Sequence, residues 1–215
     1  MAATAAALFA LFWISMGLSI LFADYRNRRR VGPLSAPSTR IADLQDGATA
    51  KLVGEVRLGD ATEEAPLSGR TCAAYRVRVD ARRKLRWRAL EEQRAAHGFF
   101  VNDGSGEVFV PADEHTELLL TTDGRFVDKP KKRASRALRR LLKPFRKEDP
   151  KSKMRCDEAT LQEGSRVAVY GVFRQRPGVR AEDAADYRSR AYQFVAEPAD
   201  EGLFVSDERG VIDRA

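Results

Sequence analysis

Ser165 to Arg174 reads SRVAVYGVFR, and its apolar residues alternate with polar or small ones through Val167, Val169 and then Val172. A period of two places Val167 and Val169 on one side of an extended chain, so the segment predicts a β-strand with one buried face. The same signal recurs on both sides of it. Ala50 to Leu58 (AKLVGEVRL) alternates over its second half and ends at Gly59-Asp60, and Cys72 to Val79 (CAAYRVRV) alternates again, with Leu85 to Ala89 extending or pairing with it. Gly98–Asn102 and Glu107–Pro111 flank Asp103-Gly104-Ser105-Gly106, a hairpin with turn residues where a hairpin needs them. Glu117–Thr121, Ala191–Val195 and Leu203–Ser206 complete the strands, and Thr39–Leu44 predicts one short helical turn. Many short strands separated by turn signals predict a mainly β chain, folded as a small OB-like barrel or a sandwich. There is no internal repeat.

Two segments depart from this pattern. The first is the N-terminus, where Ala2 to Ala23 carries no charge and is followed by Arg26, Arg28, Arg29 and Arg30. An uncharged run of about 20 residues has the length of a membrane-crossing helix. No basic residue precedes the run, and Leu21-Phe22-Ala23 is a poor cleavage site, so an uncleaved transmembrane helix is expected over 1–23. A basic juxtamembrane linker over 24–40 follows. Positive flanks stay in the cytoplasm, so the rest of the chain is expected on the cytoplasmic side. Richness in Ala and Arg points to a bacterial source, hence an inner membrane. Only two cysteines, Cys72 and Cys156, occur in 215 residues, and neither belongs to a CxxC pair. That pattern fits a reducing compartment and rules out a zinc knuckle.

The second segment runs from Lys129 to Arg155. It holds thirteen Lys or Arg against Glu148 and Asp149, whereas the whole chain has a net charge of +7, so the remainder is net acidic. Within an insertion bounded at 129–157, Ala134 to Arg146 predicts a helix. Leu138, Leu141, Leu142 and Phe145 follow an i, i+3, i+4, i+7 pattern, with Arg136, Arg139, Arg140 and Lys143 on the flanks and far side. Pro144 makes its last turn doubtful. Beside a bilayer, such a helix is expected to lie in the headgroup boundary. Its Leu and Phe face would enter the lipid, and each cation would gain about 1 kcal/mol near anionic lipid.

No catalytic constellation is visible, and neither a metal nor a cofactor is expected. Cys72 reads as a small buried hydrophobe within its strand. Asp103 to Gly106 lacks the Lys of a phosphate loop and the acid spacing of a calcium loop, and reads as a turn. His97 and His115 have no partner motif and read as surface residues. Pro66-Leu67-Ser68-Gly69-Arg70 admits two readings, a peptide-binding loop or a structural turn with positive φ at Gly69; the turn is favoured, and Arg70, with Cys72 and Tyr75 beyond it, completes the candidate binding set.

Ala65 to Val79, APLSGRTCAAYRVRV, resembles the signature of the GIDE or BAM ("beside a membrane") domain family through Pro66, Leu67, Ser68, Gly69, Arg70, Cys72 and Tyr75. Trp87 lies downstream as in that family. Phe99, Asp103, Gly106 and Val110 are similar to its Phe-x-x-x-Asp-x-x-Gly-x-x-x-Val hairpin, and Glu163 to Gly171 to its late Gly-x-x-Val strand. Together these cover most of 41–206, with 207–215 left as a tail. The best-known members are membrane-anchored E3 ubiquitin ligases of mitochondria, whose activity resides in a zinc-binding RING. Two cysteines and two histidines cannot build a RING. The resemblance therefore implies an anchored β domain held against a bilayer, and no catalytic residue. The expected function is non-enzymatic binding or scaffolding at the membrane, with anionic lipid and an unidentified protein as partners. One alternative is a ligase-family protein without its own RING. The other is a membrane-tethered nucleic-acid binder. Nucleic acid is disfavoured because Phe126 and Phe145 are the only aromatics in or beside the basic segment.

Overall fold

Alternation along Ala48–Leu58 (β1) and Arg166–Gln175 (β11) is answered by the longest ladder of the barrel, antiparallel from Ala48 opposite Phe173 to Glu55 opposite Arg166. The computed structural model describes residues 32–83, 86–113, 115–128, 136–148, 152–176 and 193–213. Between β1 and β11 in the chain lie β2 (Glu63–Glu64), β3 (Thr71–Cys72), β4 (Ala74–Arg83), β5 (Arg86–Ala96), β6 (Phe99–Asn102), β7 (Glu107–Val110), β8 (Thr116–Leu119), β9 (Gly124–Asp128) and β10 (Met154–Leu161). The helix α1 (Arg136–Glu148) precedes β10. After β11 come β12 (Phe194–Glu197), β13 (Leu203–Ser206) and the short helix α2 (Arg209–Ile212).

Five strands close into a ring. β1 pairs with β6, β6 with β7, β7 in parallel with β12, β12 with β11, and β11 returns to β1. This closed five-stranded barrel, with its single parallel pair, is consistent with an OB-like barrel. Its interior is filled by Leu52, Val56, Phe99, Val101, Val108, Val110, Val167, Val169 and Phe173; Val172, of the opposite parity, is half-buried and Phe173 takes the inward place. Closure bends β11 so that two strands share its outer edge. β12 takes Val172 to Gln175, and β13 takes Ala168 to Tyr170. Gly171 is the join. A Cβ there would stand 2.6 Å from the Glu197 carbonyl oxygen and 2.8 Å from Leu203 Cδ1.

A second sheet, ordered β5-β4-β10-β9, is built from the two long excursions out of the barrel, β1 to β6 and β7 to β11. α1 covers one face of it. A third, smaller cluster forms where Leu34, Ala168, Phe204, Val211 and Ile212 meet. There the fully buried Lys51 donates from Nζ to the Val211 carbonyl at 2.8 Å, tying α2 to the barrel wall. The expected turn near Thr39–Leu44 is a 3-10 turn at Ile41–Asp43. It is held from the β6–β7 turn, where Asp103 accepts the Ile41 N–H at 2.8 Å and Ser105 accepts that of Ala42 at 3.1 Å.

The sequence reading and the structure differ at several strands and at one boundary. β9 and β10 were not expected, and β5 runs seven residues beyond Ala89. The insertion does not extend to 157, because Met154 to Asp157 already pair with β4. Of the segment expected as a strand at Ala191–Val195, the described part begins at Gln193, and β12 starts at Phe194. The expected transmembrane helix over 1–23 and the linker as far as Val31 lie outside the described residues. Among those described, no helix is long and apolar enough to cross a membrane.

Two outcomes follow from this geometry. Gly171→Ala should lower unfolding free energy by about 1–3 kcal/mol, since its new methyl group meets backbone that must shift. Gly210→Ala, where nothing lies within 4 Å, should be nearly neutral; urea melts of both variants check this. Partial burial raises the Asp103 pKa, but the N–H groups of Ile41, Ser105 and Gly106 and the Ser105 hydroxyl outweigh it and hold the carboxyl below its usual value. A depressed pKa gives stability that is complete above the unfolded value of about 3.9 and lost as pH falls through the folded one. Asp103→Asn should therefore lose stability at neutral pH and lose less than wild type between neutral pH and pH 3, as read by thermal melts.

Candidate functional site

The Pro66–Arg70 turn links β2 to β3. Gly69 adopts φ 71° and its N–H donates to the Ala65 carbonyl at 2.8 Å, while the Ala65 N–H reaches the Arg70 carbonyl at 2.9 Å. The turn is then clasped from the side. Glu158 of β10, only 1% exposed, accepts the N–H of Leu67 at 2.8 Å on one carboxylate oxygen and that of Ser68 at 3.0 Å on the other. Those two backbone donors satisfy a buried charge that would otherwise be costly. Leu67 is buried beneath the turn, Pro66 is half-buried, and Ser68, Gly69 and Arg70 are exposed. Arg70 sits 3.3 Å from Asp123, which also accepts the Thr160 hydroxyl proton. The turn is thus a joint that fixes β3 and β4 to β10, and its exposed rim is Ser68 to Arg70.

Cys72 is fully buried just beyond this joint, and its thiol points at the Glu63 carbonyl 3.6 Å away. Burial, then the negative charges of Glu158, Glu63 and Asp123, push its pKa up to about 11. The half-buried Tyr75 is shifted upward too, by burial and then by Glu63 and Cys72. Neither group is poised as a nucleophile, since a reactive thiol needs a lowered pKa. His97 bridges to Glu63 at 2.9 Å, and His115 is exposed. Among the described residues, no three His, Cys, Asp or Glu are grouped so as to hold a metal ion.

In α1 the structure separates the two faces of the expected interfacial helix. Arg136, Arg139, Arg140, Lys143 and Lys147 are exposed. Leu138 and Leu142 are 4% and 1% exposed, and Leu141 and Phe145 are half-buried beside them. They pack on Val77, Val79, Ala81, Met154 and Cys156 of the second sheet, with Phe126 and Leu67. The expectation that Leu138, Leu141, Leu142 and Phe145 face lipid is therefore corrected. Their partner is the protein's own sheet, which would otherwise expose an apolar face of its own. The helix also continues through Pro144 to Glu148, with Pro144 on its exposed side.

The opposite face of the second sheet was not anticipated. Asp80 of β4 is completely buried there, and Arg155 of β10 donates to its Oδ2 through Nε at 2.9 Å and Nη2 at 2.7 Å. Arg78 donates to its Oδ1 at 3.0 Å, and Arg125 donates to Asp157 at 2.7 Å. The Arg155 guanidinium lies over the Trp87 ring, 4.7 Å from its centre. The available signal was the alternation Arg76, Arg78, Asp80, Arg82 opposite Val77, Val79, Ala81, which describes a strand with one charged face. Comparison of the chain with family models, with curated proteins and with solved structures finds no match.

With its thiol buried and its pKa near 11, Cys72 should resist iodoacetamide at pH 7.5 in the folded protein and alkylate fully in 6 M guanidinium. Mass spectrometry of both reactions checks it, and rapid labelling of the native protein would mean that the joint around Glu158 opens.

Proposed function

We propose that this chain is a membrane-anchored, non-enzymatic binding or scaffolding module. In this reading its β domain stands on the cytoplasmic face of a bacterial inner membrane, with α1 against anionic lipid. One observation carries the reading: five exposed cations, Arg136, Arg139, Arg140, Lys143 and Lys147, sit on a helix whose apolar side is already fastened to the sheet. Fastening holds the charges in a fixed array, so little side-chain order has to be gained again on contact. At about 1 kcal/mol per cation near an anionic leaflet, such an array supplies a useful but salt-sensitive attraction. The uncharged run Ala2–Ala23 and the arginines at 26–30 would keep the array at the surface. Resemblance of the Pro66–Tyr75 stretch to the GIDE/BAM signature supports the same placement.

Burial of the leucines changes what the reading predicts. Contact should be mainly electrostatic, because Leu138 and Leu142 have no surface left to insert and Leu141 and Phe145 are half-covered by the sheet. A fragment spanning residues 32–215, which contains the three hydrophobic clusters found among the described residues, should sediment with anionic vesicles and not with neutral ones, and salt should weaken it. Reversing Arg136, Arg139, Arg140 and Lys143 to Glu should abolish binding with no loss of thermal stability. Leu142→Ala should instead cost about 2–5 kcal/mol of stability, as a buried leucine does. Equal binding to neutral vesicles, or binding by the charge-reversed fragment, would overturn the reading.

A further inference from the structure

An eleven-residue strand, β5, forms one border of the second sheet, and among the described residues no strand pairs with its outer edge. It is exposed along most of its length. A long open edge presents a row of unpaired N–H and C=O groups, which is a template for another extended chain. Charged side chains are the usual protection against indiscriminate pairing, and here they have one prevailing sign. Arg86, Arg88 and Arg94 on β5 and Arg82 on the neighbouring β4 are exposed, against Glu91 and Glu92. Among the described residues none of these four arginines has a side-chain hydrogen bond or ion pair, whereas Arg78, Arg125 and Arg155 are committed to Asp80 and Asp157.

Two further features lie along the same border. Trp87 and Leu90 of β5 are two of the three large apolar side chains that remain exposed among the described residues. Beyond them, Arg94, Ala95 and Ala96 line a cleft of about 250 Å³ with Ala112 and Asp113 of the β7–β8 connection and Thr116 of β8. Side chains of neighbouring strand residues point to opposite faces, so three consecutive lining residues put the strand's edge, not one face, on the cleft. The facing loop holds Ala112 at φ 47°, a left-handed conformation that a non-glycine residue adopts only under constraint.

From these placements we infer that the open edge of β5 is the module's protein-binding surface, taking an extended acidic segment of a partner as an added strand. The partner's main chain pairs with the edge, its carboxylates meet Arg86 and Arg88 on one face and Arg94 on the other, and its apolar residues cover Trp87 and Leu90. The inference rests on the reading of the chain as a binding module, and it does not depend on lipid charge. Single-stranded nucleic acid fits less well, because one face of Trp87 is already covered by Arg155 and, among the described residues, no ring is paired with it to continue a base stack.

The test uses the full chain in nanodiscs of neutral lipid and a displayed library of random twelve-residue peptides. Selected peptides should be acidic with alternating apolar residues. Reversing Arg86, Arg88 and Arg94 to Glu should weaken the best of them by about tenfold or more in fluorescence anisotropy, at an unchanged melting temperature. Methylating alternate backbone nitrogens of that peptide should abolish binding, since it removes the main-chain donors that strand addition requires. Neutral or basic selected peptides would overturn the inference. So would retention of affinity by the methylated peptide or by the reversed variant, or displacement of the peptide by a single-stranded RNA oligonucleotide. Because the lipid is neutral throughout, failure here leaves the vesicle result standing, and failure with vesicles leaves this one standing.

Discussion

The ladder between β1 and β11 is the constraint on which the rest of the molecule depends. It closes the barrel, and both remaining units hang from its two strands. On one side β1 continues into the pairing with β6, and on the other β11 splits its outer edge between β12 and β13. Two glycines in or beside this ladder permit it. Gly54 on β1 has the Asn102 carbonyl 2.6 Å from where a Cβ would stand, and Gly171 has that of Glu197 at the same distance. Each lies where one strand must accept a close backbone while the ring bends. Side chains at these points would open the barrel and, with it, the two excursions that meet to form the second sheet.

In the second sheet the decisive element is β10, which carries polar groups on both faces and satisfies each in a different way. Glu158 lies on the same side of β10 as Met154 and Cys156 and is hydrogen-bonded by two backbone N–H donors of the Pro66–Arg70 turn. Arg155 points the other way and meets the buried Asp80. A buried ion pair is an uncertain source of stability, but removing one partner costs about 3–5 kcal/mol because the other charge is left without compensation. The value of these contacts is therefore register. Any slip of β10 against β4 would separate Arg155 from Asp80 and Glu158 from its turn in one movement.

That strand also explains where the sequence was readable and where it was not. Val167, Val169 and Phe173, or Val77 and Val79, belong to strands with one constant inward face, and a period of two reveals them. β10 changes allegiance part-way along. Met154 and Cys156 enter the core beneath α1, whereas Ala159 and Leu161 enter the barrel core. The apolar parity therefore switches at Glu158, and no single alternation survives. β5 is hidden for the opposite reason, having almost no buried face from which a pattern could arise. The helix at Arg136–Glu148 was legible from its stripe, but a stripe states only that an apolar surface will be covered. It does not say by what.

Lipid and sheet compete for the same leucines, and magnitudes decide the outcome. Burying a leucine side chain gains about 1.5–3 kcal/mol whether the receiving surface is protein or acyl chain. Against the sheet, however, the gain is counted twice, since Val77, Val79, Met154 and Cys156 are withdrawn from water by the same contact. Inserting α1 into a bilayer would have to expose that face again. An arrangement that keeps the leucines in the protein and offers only the arginines and lysines to the surface avoids this cost. It also makes any contact with lipid reversible, because what remains is an exposed charge array that salt screens over about 8 Å at physiological ionic strength. In the function proposed above, permanence at the membrane falls to the uncharged Ala2–Ala23 run, and the orientation of the domain to the cations of α1.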